Sequence, residues 1–96
     1  MNSYNLSFKA DKDLDNITDY TLVTFGEKQT RVYVTGLMLC FQSLAENPEI
    51  GRSAEVYAPR LKVFTYKAHS IFYEPTNNGI FIVRILGQRQ DLQRHI

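Results

Sequence analysis

His69 to Asp91, HSIFYEPTNNGIFIVRILGQRQD, is the stretch from which the fold can be read. Ile71-Phe72-Tyr73 and Ile80 to Leu86 are β-branched and aromatic runs, and Pro75-Thr76-Asn77-Asn78-Gly79 between them is suited to a chain reversal. Asn78-Gly79 strengthens the hairpin reading, because both residues tolerate the positive φ of tight turns. Apart from Arg84, the run Ile80-Phe81-Ile82-Val83-Arg84-Ile85-Leu86 is apolar on both alternating faces. A strand covered on both sides has that pattern, so Ile80 to Leu86 is expected to be the central strand.

Outward from the hairpin, Arg60 to Tyr66 (RLKVFTY) is expected to be a further strand, joined to it by Lys67-Ala68. Residues 48 to 59, with Pro48, Gly51, Ser53 and Pro59, form a polar connector. At the other end Tyr4, Leu6 and Phe8 alternate with Asn5, Ser7 and Lys9, the period of an edge strand with one buried face. Asp11 and Asp13 then open a helix that carries Leu14, Ile17, Thr18 and Thr21 at helical spacing and stops at Gly26. A second helix is expected over Glu27 to Glu46, with Tyr33, Gly36, Leu37, Cys40, Phe41 and Leu44 on its apolar stripe and Asn47-Pro48 as its stop. The tail QRQDLQRHI has room for a further helical turn. The order is β-α-α-β-β-β, an α+β domain in which an antiparallel sheet carries a helical hairpin on one face.

Ninety-six residues make one domain, able to bury roughly 65% of its unfolded surface. A single cysteine excludes an internal disulfide, and Cys40 has no Cys or His cluster beside it to suggest zinc. Neither a metal nor a cofactor is expected. Cys40 lies on the apolar stripe of the second helix and reads as a packing thiol. The start, Met1 to Lys9, lacks the basic and apolar regions of a signal peptide, and no apolar run approaches the ~20 residues that span a bilayer. An intracellular protein of the cytoplasm is the expectation.

Net charge is +1, but its halves differ. Residues 1–50 hold four basic and seven acidic side chains, and residues 51–96 hold seven and three. The second helix is apolar beyond what one packing face needs, since Val34, Met38 and Ala45 widen its stripe and Val32 and Leu39 lie on the far side. Two readings are open: packing against both the first helix and the sheet, or a groove for a partner. Under the second, Tyr20, Val34, Met38 and Leu39 are the candidate floor for an amphipathic helix.

The ordered set Ala10, Asp13-Leu14, Ile17, Tyr20-Thr21, Phe25-Gly26, Gln29, Tyr33, Leu44-Ala45, Pro48, Gly51-Arg52, Arg60, His69, Phe72-Tyr73, IFIVRIL, Arg89 and Asp91 resembles the ParE branch of the RelE/ParE toxin superfamily over nearly the whole chain. Thr30, Phe25, Gly87 and Gln90 depart from the usual Ala, Trp, His and Met. The resemblance implies the toxin of a type II toxin–antitoxin module. ParE relatives poison DNA gyrase and are neutralised by a ParD-type antitoxin that wraps the helices and sheet. RelE relatives instead cleave messenger RNA in the ribosome.

Cleavage of that kind needs cations for the phosphate and groups that activate the 2′-hydroxyl and protonate the leaving oxygen. Arg60, Lys62, Lys67, His69 and Arg84 are the available residues. A net charge of +1 argues against binding ribosomal RNA, where phosphate neutralisation dominates affinity. Arg84 in its apolar strand must be paired or reach a rim. An ion pair with an acid such as Glu74 and a contact with a target are both open. His69, which precedes a strand, reads as a hydrogen-bonded structural residue or, less simply, as a catalytic one. Arg84, Arg89 and Asp91 are the polar residues placed nearest an expected target-binding surface.

Overall fold

The computed structural model describes residues 2–87. Strand β1 (Ser3–Leu6) leads into helices α1 (Phe8–Phe25) and α2 (Glu27–Glu46), followed by a single 3-10 turn (Pro48–Ile50) and strands β2 (Arg52–Ser53), β3 (Lys62–Tyr66), β4 (His69–Thr76) and β5 (Gly79–Gly87). The five strands form one sheet in the order β1-β5-β4-β3-β2. The helical hairpin covers one face, and the expected hairpin of residues 69–86 forms the middle of the sheet.

The helix boundaries follow from local chemistry. Ser7, in an extended conformation, accepts the Ala10 N–H on its hydroxyl oxygen at 2.9 Å and caps α1. That cap starts the helix at Phe8, three residues before Asp11, so Phe8 is helical and exposed instead of belonging to β1. Gly26, at φ 90°, joins the two helices with no intervening loop: its N–H closes α1 on the Leu22 carbonyl, and its carbonyl accepts from Thr30 Oγ1 at 2.7 Å. Helix α2 spans the expected Glu27 to Glu46 and buries Thr30, Leu37, Phe41, Leu44 and Ala45.

Further expectations are corrected. The sheet is mixed, not wholly antiparallel, because β1 runs parallel to β5 in the register Tyr4↔Ile80 and Leu6↔Ile82. Only strands joined by short turns are driven antiparallel, and between β1 and β5 lies the whole helical hairpin. The β4–β5 turn consists of Asn77 and Asn78, with Gly79 already paired to Thr76. Gly79 serves β1 more than the turn: its φ is +144°, and any Cβ there would run into the Ser3 carbonyl.

The connector after α2 is more structured than its polarity suggests. It includes β2, and Ala54 and Leu61 fold back over Phe72 and Leu86 to build a small second core on the face away from the helices. Arg60 does not open β3; it turns at φ 63°, and the strand begins at Lys62. The connector is tied to the sheet by Tyr73, which is fully buried. Its hydroxyl donates to the Pro48 carbonyl at 2.7 Å and accepts from the Gly51 N–H at 2.9 Å.

Strand β5 changes face part-way along. A register shift opposite Phe72/Tyr73 leaves Val83 as an extra residue, so Ile80, Ile82 and Ile85 all enter the core beneath the helices, while Val83 and Leu86 join the second core. A strict two-residue period would have turned Ile85 to the opposite face from Ile82. Among the described residues no helix is long and apolar enough to cross a membrane.

Candidate functional site

The bulge at Val83 sets up the most polar junction in the fold. Ser7 donates its hydroxyl to the Val83 carbonyl at 2.7 Å, and its N–H reaches the Ile82 carbonyl. One and a half turns along α1, Asp13 accepts two guanidinium hydrogen bonds from Arg84, both at 2.8 Å, and the Ile85 N–H at 3.0 Å. Strand β1 has ended by this point, so the Asp13 carboxylate stands beside β5 where a further strand's carbonyl would lie. Both side chains are close to nine-tenths buried, and Asp13 holds the Arg84 guanidinium firmly in its charged form.

Arg84 is therefore paired with an acid 71 residues away and not with Glu74, which lies 3.8 Å from Arg60 instead. A sequence signal for the true partner exists. Asp13 falls four residues before Ile17, on the buried face of α1, where an acid needs a cation.

Beside this junction a cleft runs between α1 and the ends of β4 and β5. Its first part, about 350 Å³, is lined by Asp13, Asn16, Ile17, Tyr20, His69 and Ile85. Its second part, about 290 Å³, shares Tyr20 and His69 and adds Thr21, Phe25, Gln29, Tyr33, Lys67 and Ala68. At the centre the Tyr33 hydroxyl lies 2.6 Å from His69 Nδ1. Burial lowers the His69 pKa and raises that of Tyr33, so the ring stays neutral and the phenol protonated. With both partners neutral, the hydroxyl donates to Nδ1 in the Nε2–H tautomer and accepts from it in the Nδ1–H tautomer. His69 is a hydrogen-bonded residue of the cleft wall, with Tyr66 packed on the far side of Tyr33.

The residues expected for RNA chemistry divide between separate places: Lys67 and His69 share the cleft with Tyr33, apart from Arg60 and Lys62. Arg60 and Lys62 line a separate open cleft of about 410 Å³ at one end of β3. Lys67 and His69 follow its other end, roughly 16 Å away at about 3.3 Å per residue. Lys62 has Glu49 at 3.8 Å. Cys40 is half-buried against the core, which pushes its thiol pKa up and keeps it protonated.

Of the four candidate groove residues, Tyr20 belongs to the cleft and is 66% exposed. Val34 is half-buried and Met38 exposed, one turn apart on one flank of α2. Leu39, 65% exposed, lies on the outward side of α2 with Val32. Arg89 and Asp91 lie outside the described residues. Apolar exposure that the sequence reading did not single out is concentrated at the end of α1, in Leu22, Val23 and Phe25.

Comparison with known proteins gives concordant results. A family model described as the ParE toxin of the type II toxin-antitoxin system parDE matches residues 4–92. Toxin ParE1 of Mycobacterium tuberculosis (strain CDC 1551 / Oshkosh) is 34% identical over 94 residues, covering 97% of this chain and 96% of the relative. Toxin ParE1 of Caulobacter vibrioides is 28% identical over 96 residues, covering 100% and 99%. A solved structure titled as the chromosomal ParDE TA system from P. aeruginosa superposes with a TM-score of 0.75 at 24% identity, over 91% of this chain and 96% of that one, a match of fold. The family model runs from β1 into the residues after β5, and this chain belongs to the ParE family, the toxins of parDE type II toxin-antitoxin systems.

Proposed function

We propose that this toxin acts in the cytoplasm by binding DNA gyrase and blocking it, and that a ParD-like antitoxin neutralises it by covering the exposed apolar surface of the helices. The observation that carries the binding mode is the dispersal of its cations. Arg84 is committed to Asp13, and Arg60 and Lys62 stand at the opposite end of β3 from Lys67 and His69. Phosphodiester cleavage needs an acid, a base and a charge-stabilising group around one phosphate. A surface that inhibits by contact has no such requirement. The net charge of +1 favours the same reading over a RelE-like messenger RNA endonuclease.

Arg84, Arg89 and Asp91 are assigned to the target-facing end of the molecule. Arg84 supports it from within, holding the last part of β5 against α1, and Arg89 and Asp91 make the contacts. Tyr20, Val34, Met38 and Leu39 are assigned to the antitoxin. Charge reversal at Arg89 is expected to weaken inhibition while leaving the urea-denaturation midpoint unchanged. Induced expression in a bacterium tests the whole reading: relaxed plasmid and a DNA-damage response are expected, with message half-lives unchanged. Rapid decay of messages with supercoiling intact would replace it with the RelE-like one.

A further inference from the structure

The cleft between the helical elbow and the β3–β4 turn is layered in the opposite sense to a folding core. Its deepest side chains are polar: Thr21 is buried, and Tyr33 and His69 are half-buried. Its rim is aromatic, with Tyr20 66% and Phe25 61% exposed. Folding by itself places rings beneath and polar groups in water. The two adjoining parts of the cleft, about 350 and 290 Å³, reach the size of small-ligand pockets, which begin near roughly 300 Å³.

His69 is held in a way that leaves one nitrogen for a ligand. Tyr33 fixes the ring through Nδ1 at 2.6 Å, while Nε2 has no hydrogen-bond partner among the described residues and is not sealed from solvent. Such an imidazole can give or take a hydrogen bond at Nε2, according to its tautomer. Thr21 Oγ1 donates to the Ile17 carbonyl and keeps its lone pairs for a donor, and Gln29 adds a carboxamide at the rim. Charge then narrows the ligand. Aromatic rims also suit cations, but no acid lines the second part, and Lys67 is its one charged residue among those described. Asp13, in the first part, is committed to Arg84 and the Ile85 N–H. A heteroaromatic ring with a single anionic arm matches the rim, the polar floor and the ammonium together. A nucleic acid strand fits less well, because each of its phosphates wants a cation and the cleft supplies one.

We infer that this cleft is a binding site for a free nucleoside monophosphate, whose base lies against Tyr20 and Phe25 with its polar edge on His69 Nε2 and Gln29, and whose phosphate meets Lys67. Stacking on the exposed rings supplies most of the affinity, and the imidazole and carboxamide read the base. Tyr33 is a positioning residue, since it acts on the base only through the ring it holds.

The test titrates the purified whole chain with adenosine, guanosine, cytidine and uridine 5′-monophosphates, with each matching nucleoside, and with a short single strand of each base, followed by NMR. Saturable binding of at least one monophosphate is expected, roughly fivefold tighter than its nucleoside, with the His69 Nε2 resonance moving as the site fills. Lys67→Gln is expected to bind the nucleotide no better than the nucleoside. Tyr20→Ala should weaken both by roughly tenfold, the loss of one stacking ring. Both side chains are exposed, so wild-type melting temperatures are expected for the two variants and weaker binding cannot be put down to unfolding. Absence of saturable binding by all four monophosphates would overturn the site and leave the gyrase reading standing. Binding that neither substitution weakens would place the nucleotide elsewhere and overturn it equally. A strand that binds more tightly than its monomer would replace the free nucleotide with a nucleic acid.

Discussion

Asp13 carries more of the structure than any other polar side chain, because one carboxylate serves the Arg84 guanidinium and the Ile85 N–H together. Removing it leaves a nearly buried cation and an unpaired backbone donor. Asp13→Ala is expected to cost about 3 kcal/mol, measured by urea denaturation. Asp13→Leu with Arg84→Met should regain part of that loss but not all, since Ile85 keeps its unmet N–H; a fully restored midpoint would show that the backbone contact is of no consequence. Arg84 shows what a sequence can and cannot reveal. Its need for a partner is legible from a lone charge in an apolar strand, and Asp13 is signalled by its spacing to Ile17, while the bulge that brings Arg84 beneath α1 and away from Glu74 is not legible.

His69 makes a prediction with a definite sign. The unfolded imidazole titrates near 6.5, and burial lowers that value in the fold. Between the two values the unfolded state binds more protons, so stability falls as pH drops below 6.5 and levels off once pH has passed the folded value. Protonation makes Nδ1 a donor, so the contact with Tyr33 then persists with the phenol oxygen as acceptor. In His69→Asn, which has no titrating ring, that part of the acid sensitivity should vanish. Parallel stability–pH curves for wild type and variant across this range would contradict the assignment.

At the scale of elements, α2 is legible to both of its ends because its stops are chemical: a glycine at positive φ before it and Asn47-Pro48 after it. The start of α1 is less so. Alternation of Tyr4, Leu6 and Phe8 extends the strand pattern into the helix, and the Ser7 cap decides the boundary. Ser7→Ala removes that cap and the hydroxyl bond to Val83, and should lower stability by about 1 kcal/mol with a loss of helical signal at the start of α1; an unchanged thermal midpoint would assign the boundary to packing instead. The second core over the sheet was not legible, because Ala54, Ala58 and Leu61 are too few and too irregularly spaced to make a periodic signal. Parallel pairing of β1 was likewise hidden, since alternation reports which face is buried and not which way a neighbour runs.

For the whole molecule, exposed apolar side chains are carried by both helices, Tyr20, Leu22, Val23 and Phe25 on α1 and Val32, Met38 and Leu39 on α2. Tyr20 was legible as a surface aromatic, and the cleft around it was not, because Tyr33, Lys67 and His69 reach it from separate elements. The central claim is that the toxin inhibits by contact and not by cutting RNA. Purified protein should be assayed at matched concentrations for inhibition of gyrase supercoiling and for cleavage of messenger RNA on programmed ribosomes. The account predicts loss of supercoiling with the message intact; ribosome-dependent cleavage with supercoiling unimpaired would contradict it.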